Sequence, residues 1–286
     1  MKHKGYRDHG HGFHGRDHRH SHEHASEYGH GMAHGIPLKK QYGQHFLRDQ
    51  SVIDAMLAKV HLDENTNVFE IGCGDGFLTR SILKTPIKQL WVFEIDPDWA
   101  AYVAKTYPDS RMTIFQDNIL DIDFARFEPG PWTLLANLPY QITFPILTKL
   151  KDNRHLLAEG VVMVQEEVAQ KITAQPGDST VQSLFFGYYF EWHKLVKILP
   201  GAFYPPPAIN SRLLHFKPKT YLQPIEHEEE FWKCVKLCFM HRRRTLKNNL
   251  MSTHYNLTAL PERFAKARAQ ELSFTDFIEL WNAIRV

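Results

Sequence analysis

Asn137-Leu138-Pro139-Tyr140 joins, in four consecutive residues, what is needed to hold an exocyclic amine still. The Asn side chain and the Leu138 carbonyl accept hydrogen bonds. Pro139 fixes the backbone, so that neighbouring carbonyls point one way. Tyr140 offers a ring face on which a planar base can stack. The same string also suits an ordinary Asn-x-Pro-aromatic loop, so its meaning depends on its surroundings. It follows an apolar run, residues 132–136, that reads as a buried strand. The four residues therefore stand at a strand's C-terminal edge.

A second constellation is Ile71-Gly72-Cys73-Gly74-Asp75-Gly76-Phe77, between an apolar strand and a helix. Glycines there let a ligand approach the backbone closely, beside a helix N-terminus. A dinucleotide fold wants Gly-x-Gly-x-x-Gly, its third glycine packing helix against strand. Phe77 occupies that third position, so the Gly-x-Gly-x-Gly after Glu70 suits a ligand without a pyrophosphate. The next strand ends in Phe93-Glu94-Ile95-Asp96. Glu94, 22 positions past Gly72, can accept hydrogen bonds from two ribose hydroxyls, although a surface acid at a strand end is the plainer alternative. The third strand ends Gln116-Asp117-Asn118, where Asp117 can accept from an adenine amine. Polar residues at successive strand ends point to one crevice outside the carboxyl edge of a sheet. A nucleoside ligand without phosphates fits it: S-adenosylmethionine.

The elements that must position these groups are legible from periodicity. A helix after Asp49 or Ser51 carries the stripe Val52, Ile53, Met56, Leu57 and Val60. Strands are expected at 67–71, 90–95, 112–115, 132–136 and 161–164. Helices between them are expected at about 77–84, 97–107, 142–150 and 166–174. Alternation of this kind predicts an α/β fold, a mainly parallel sheet covered on both faces. After residue 178 the pattern changes. The aromatic stretch 184–192 reads as core, and 193–199 and 212–216 read as a closing pair of strands with an antiparallel member. Helices are expected at 228–240, 242–251 and 274–284, and a domain boundary near Pro218.

At 286 residues the chain can bury a large core. No apolar run approaches the roughly 18 residues of a membrane-spanning helix, and the N-terminus lacks a signal-peptide core. A cytoplasmic protein without membrane partners is expected. Net charge is only +2, so any nucleic-acid binding must come from a local basic face. Arg242, Arg243, Arg244 and Lys247, with Lys233, Lys236 and His241, form such a cluster on the C-terminal helices. Cys73, Cys234 and Cys238 match no zinc spacing and read as reduced, buried thiols; no metal site is expected. Residues 1–36 hold ten of the eighteen histidines and almost no aliphatic side chain. This segment reads as an unordered leader or an affinity tag, with Met32 as a possible start.

Seven segments carry a resemblance, in order and spacing. They are 44–47 (QHFL), 70–74 (EIGCG), 94–96 (EID), 116–117 (QD), 137–140 (NLPY), 203–207 (FYPPP) and 241–250 (HRRRTLKNNL). Together they resemble the ribosomal RNA adenine dimethyltransferases, from about residue 38 to the C-terminus, and within that family the bacterial small-subunit enzymes linked to kasugamycin sensitivity. The resemblance implies a Rossmann-like, S-adenosylmethionine-dependent methyltransferase domain at 37–218 and a small all-helical RNA-binding domain at 219–286. It implies N6,N6-dimethylation of two adjacent adenosines near the 3′ end of 16S rRNA, on an immature 30S subunit, by a monomer. Gln44 and Leu47 would border the methionine part of the cofactor, with Gly72 against it. Glu94 would hold the ribose and Asp117 the adenine. Asn137 and Leu138 would bind the target amine, next to Pro139, while Tyr140 and Phe203 would sandwich the target base. His45 departs from the Asn that many bacterial members carry.

Three other readings stay open at this stage. One is a 23S rRNA methyltransferase conferring macrolide resistance; the basic segment 241–250 and the helical tail speak against it. A second is a non-catalytic RNA-binding relative, which the intact Asn137, Pro139 and Tyr140 disfavour. A third is a DNA adenine or protein glutamine methyltransferase, in which a second proline would replace Leu138.

Overall fold

The computed structural model describes residues 31–39, 42–127 and 130–286. The chain divides into two units, Met1–Leu38 and Lys39–Val286. In the first, Met32–Ala33 pairs antiparallel with Ile36–Pro37, and the Leu38 N–H closes the turn on the Gly31 carbonyl at 2.8 Å. Regular structure therefore starts before Pro37. The rest of the expected leader lies outside the described residues.

The second unit is built on a seven-stranded sheet. Its strands are β1 (Asn67–Ile71), β2 (Gln89–Phe93), β3 (Met112–Phe115), β4 (Trp132–Asn137), β5 (Leu157–Gln165), β6 (Phe190–Ile198) and β7 (Ser211–Pro218). Their order is β3-β2-β1-β4-β5-β7-β6. The first five run parallel, and β7 is antiparallel to both β5 and β6. Chain order reverses between β1 and β4, which makes that gap the topological switch point where a ligand crevice opens.

Helices cover both faces, as unbroken apolar strands require. Val68, Leu90, Leu135 and Val161 point to one side, with α1 (Gln50–Leu57) and α3 (Pro97–Thr106); Ile53, Met56 and Val103 are buried there. On the other side, Phe69, Leu134 and Val162 meet α4 (Thr143–Asp152), α5 (Glu166–Ile172) and α6 (Val181–Tyr189). Caps fix where the helices start. The Asp49 carboxylate accepts from Ser51 N at 2.9 Å, and Asp96 accepts from Asp98 N at 3.1 Å just ahead of Pro97.

The core does not stop at Pro218. Trp232 on α7 (Glu228–Cys238) meets Phe185 edge-on at 5.0 Å and Tyr188 at 5.8 Å. Phe274, which opens α9 (Phe274–Ile284), stacks on Tyr188 at 5.2 Å. The aromatic stretch 184–192 thus splits between α6 and the first residues of β6, and most of it is buried. Cys73, Cys234 and Cys238 are free and buried.

Two helices are shorter than expected. The helix after the Gly-rich loop is only Thr79–Ile82, α2, with turns at 77–78 and 83–84. The helix expected over 242–251 is α8, Leu246–Leu250. Thr245 caps it, and Asn249 Nδ2 donates to the Cys238 carbonyl at 2.7 Å and the His241 carbonyl at 3.2 Å. That ties 241–245 into a turn, so Arg242, Arg243 and Arg244 stand on an exposed turn rather than on a helix face. Among the described residues no helix is long and apolar enough to cross a membrane, and no cluster of metal-ligating side chains occurs.

Gly160, in the middle of β5, leaves no room for a side chain. A Cβ there would lie 2.6 Å from the Phe216 ring and 3.0 Å from Leu134 Cβ. Gly160→Ala is expected to cost about 1–3 kcal/mol by overpacking. Urea denaturation should show a lower midpoint at unchanged slope; an unchanged midpoint would mean that the ring moves freely.

Candidate active site

A cavity of about 350 Å³ opens at the carboxyl ends of β1, β2, β3 and β4. Its floor is the Gly-rich loop. Gly72 has φ +74°, and a Cβ built on it would find nothing nearer than the Asn137 carbonyl oxygen at 4.0 Å. Bare backbone at this point faces open space between β1 and β4. Gly74 differs: at φ +51° its Cβ would lie 2.8 Å from the Phe46 ring, which rests edge-on against Trp99 at 4.9 Å. Residues 44–48 thus cross over the loop, and glycine is what lets them.

That crossing segment is held at several points. Phe46 and Leu47 pair with Tyr204 and Phe203 as a two-residue antiparallel ladder. Arg48 Nη2 meets Asp75 Oδ2 at 2.6 Å. Gln44 Nε2 donates to Asp96 Oδ2 at 3.0 Å, and Lys39 Nζ reaches Asp96 Oδ1 at 2.6 Å. His45 Nδ1 lies 2.8 Å from the Pro205 carbonyl, which can only accept, so that nitrogen carries a hydrogen.

Asn137 ends β4 at the switch point. Its Nδ2 donates to the His45 carbonyl at 3.2 Å. A carbonyl oxygen cannot donate, so this bond settles which end of the carboxamide is nitrogen and turns Oδ1 into the available acceptor. Leu138 is buried, its N–H on the Met163 carbonyl at 3.1 Å. The Pro139 carbonyl takes the Thr143 hydroxyl at 3.1 Å, fastening the turn to the start of α4. Tyr140 and Ser211 share a hydroxyl hydrogen bond of 2.5 Å. Burial holds the Tyr140 phenol above its ordinary range, so it stays protonated.

Acids line the opposite wall. Glu94 Oε2 accepts from Gly74 N at 3.1 Å, and Oε1 from Asp96 N at 2.9 Å. Burial raises its pKa against those bonds. Glu70, fully buried inside β1, takes the Thr79 hydroxyl on Oε2 at 2.7 Å. Its Oε1 has no hydrogen-bond partner among the described residues. Burial, reinforced by the charges of Glu94 and Asp75, raises Glu70 to about 8. Burial, with Glu94 and Glu70 beside it, pushes the Cys73 thiol up, so it is no nucleophile at neutral pH.

The residues anticipated from the sequence separate into those that gather here and those that do not. Gln44, Leu47, Gly72, Glu94, Asp117, Asn137, Leu138, Pro139 and Tyr140 all line the cavity. Asp117 stands exposed at its rim. Phe203 is not brought into the lining. It is 4% exposed, packed with the β1–β2 face of the core and laddered to Leu47. A ring so covered has no free face for a base in this arrangement. Lys233 is also removed from the basic cluster as a free cation, since Glu229 and Glu230 hold it at 2.9 and 2.8 Å. Sequence reading missed His45 and Ser211 as partners of Asn137 and Tyr140. No local signal marks contacts across 92 and 71 residues. Glu70 could have been found as a lone acid inside an apolar strand.

A family model described as "Ribosomal RNA adenine dimethylase" matches residues 36–285. A protein of Chlorobium phaeobacteroides named "Ribosomal RNA small subunit methyltransferase A" is 35% identical over 253 residues, 87% of this chain and 92% of that protein. The protein of that name from Streptococcus gordonii is also 35% identical, over 83% of this chain and 85% of its own length. Among solved structures, a dimethyladenosine transferase from Plasmodium falciparum superposes with a TM-score of 0.69 at 22% identity, covering 83% of this chain and 97% of that one. The 23S rRNA methyltransferase ErmE superposes with a TM-score of 0.65 at 22% identity, covering 83% and 99%. The last two likenesses bear on the fold alone.

Glu70 carries a pH signature. Its carboxyl is protonated in the folded chain up to about 8, while in the unfolded chain it ionises near 4.5. Between those values folding takes up a proton, so this group's stabilising contribution is full below about 4.5 and is lost as pH rises through about 8. Glu70→Gln is expected to flatten the fall of the urea midpoint between about pH 5 and pH 8, with its largest gain over the parent at the alkaline end. A parallel fall in both proteins would remove Glu70 as its source.

Proposed function

The chain belongs to the ribosomal RNA adenine dimethylase family, and from that premise we propose how its crevice serves the reaction and which RNA it meets. The activity is adenine dimethylation of rRNA with S-adenosylmethionine as methyl donor. The substrate we propose is a pair of adjacent adenosines near the 3′ end of 16S rRNA, presented on an immature 30S subunit to a monomer in the cytoplasm. The match to relatives named for the small subunit supports it. The observation that carries the catalytic reading is the hydrogen bond from Asn137 Nδ2 to the His45 carbonyl, which leaves Oδ1 as an acceptor.

The crevice suits the donor. When bound, S-adenosylmethionine supplies an electrophilic methyl on a sulfonium sulfur. Glu94 is a buried carboxylate to which ribose hydroxyls would add donors, offsetting its desolvation. The bare backbone at Gly72 admits close approach, and Gln44 and Leu47 close that end of the wall. Asp117 at the rim can accept from an adenine amine.

The chemical problem is the target nitrogen, whose lone pair is delocalised into the purine. Asn137 Oδ1 and the Leu138 carbonyl would accept its two hydrogens and favour a pyramidal nitrogen with a localised pair. Asn137 is neutral and takes no proton; the proton leaves to solvent after transfer. Alignment does the rest, and near-attack positioning is worth roughly 7–11 kcal/mol of barrier. The target must leave any stacked helix to reach this depth, and the Tyr140 ring stabilises it there by stacking.

We assign residues 37–218 to catalysis and 219–286 to RNA binding. Arg242, Arg243, Arg244 and Lys247 are exposed on and beside one short turn, a geometry suited to phosphates.

Asn137→Ala is expected to lower kcat on the order of 100-fold or more, the scale of losing one preorganised polar contact. Calorimetry should find cofactor affinity nearly intact; lost affinity would move Asn137 from the reacting amine to the cofactor. Reversing Arg242–Arg244 to Glu should weaken RNA binding and flatten its dependence on salt. An unchanged filter-binding series would exclude the turn from the interface. Labelled methyl groups should enter immature 30S and not 50S subunits. Labelling of 50S would overturn the substrate proposed.

A further inference from the structure

Glu94-Ile95-Asp96 alternates just past the end of β2: Ile95 is exposed, while Glu94 and Asp96 are buried. Glu94 lines the crevice. Asp96, beside it, has no exposed surface, and both its oxygens are taken. Oδ1 receives Lys39 Nζ at 2.6 Å and Asp98 N at 3.1 Å, and Oδ2 receives Gln44 Nε2 at 3.0 Å. We propose that Asp96 is a positioning residue for methyl transfer: it clamps the segment that crosses the glycine loop, and so holds Gln44 in the cofactor wall and Asn137 in its acceptor orientation. This inference rests on the adenine-methylating reading above and names a residue that acts through the groups of that site.

The crossing is anchored on each side of His45. Downstream, Phe46 and Leu47 are laddered to Tyr204 and Phe203, and Arg48 meets Asp75. Upstream, Asp96 receives Lys39 and Gln44, and the Gln44 Oε1 accepts from Lys39 N at 2.9 Å. Lys39 Nζ also reaches Asp98 at 2.8 Å. His45 lies between the two anchors, and they set the direction of the carbonyl that takes Asn137 Nδ2. A helix cap by itself needs one oxygen, which a neutral Asn or Ser supplies. A carboxylate with no exposed surface is costly unless it is paired. Here the charge and the second oxygen both go to the crossing segment rather than to α3. The Asp96 N–H donates to Glu94 Oε1 at 2.9 Å, so the same residue ties the crossing to the acid we assign to the ribose.

The test uses the full chain. Asp96→Asn keeps the oxygen that caps α3 and sets an NH2 group against the Gln44 NH2. Turning Gln44 over would satisfy that pair but release the Lys39 N–H. Trypsin should then cut after Arg48 about 10-fold faster in the cofactor-free protein, because cleavage follows the population of the opened segment. Affinity for S-adenosylhomocysteine, read by calorimetry, should fall. On rRNA, kcat should drop about 10- to 100-fold, the scale of a lost alignment. Combining Asp96→Asn with Gln44→Glu reverses the polarity of the pair, since a carboxylate at position 44 accepts from both partners. The double variant should keep more activity and resist trypsin better than the product of the two single effects. Losses that simply multiply would reduce Asp96 to a helix cap and overturn the inference. Faster cleavage with unchanged kcat and affinity would also overturn it, as would unchanged cleavage. If the parent protein methylates no rRNA at all, the functional reading fails, while the tryptic pattern still reports on the clamp.

Discussion

A single hydrogen bond, 3.2 Å from the Asn137 carboxamide to the His45 main chain, gives this crevice its chemical polarity. An asparagine side chain can present a donor or an acceptor simply by turning over, and the two ends differ little in shape. Only the acceptor would serve the amine proposed to enter here. The choice is made by a carbonyl 92 positions earlier in the chain, and that carbonyl is in place only because residues 44–48 cross the glycine loop. Ladder, ion pair and aromatic edge all serve to hold that crossing. Backbone placement thus decides which end of the carboxamide is free to accept.

The acids behind the glycine loop illustrate a different compromise. Glu70 and Glu94 lie in a region that disfavours their ionised forms, and one oxygen of Glu70 is left without a partner among the described residues. A protein selected for stability alone would fill such positions with apolar groups. Retaining them keeps a polar wall able to accept hydrogen bonds from a ligand rich in hydroxyls, at a cost to the unliganded fold.

The sheet, a crevice at its carboxyl edge and nine cavity-lining residues are legible in the sequence, because each leaves a local mark. Mainly apolar runs mark β1, β4 and β5. Glycines mark the loop, and polar residues at strand ends mark the rim. What escaped has no local mark. His45 and Ser211 act through space on residues far away in sequence. Phe203 carried the right chemistry in the right motif, yet its ladder to Leu47 turns it into core. The arginine run kept its exposure and lost its helix, since Asn249 takes up the carbonyls at the end of α7. Short-range patterns foresee composition and period well; they do not foresee which neighbour wins a given donor.

The aromatic packing that joins Trp232 and Phe274 to Phe185 and Tyr188 makes the helical tail continuous with the sheet's own interior. The connecting residues 219–227 form an irregular, largely exposed loop, so it is these ring contacts that hold the tail against the sheet. The span from the exposed arginine turn to the crevice is therefore set like the jaws of a calliper. If RNA meets that turn as proposed, the nucleotide lying at the matching distance from it is the one presented to the crevice.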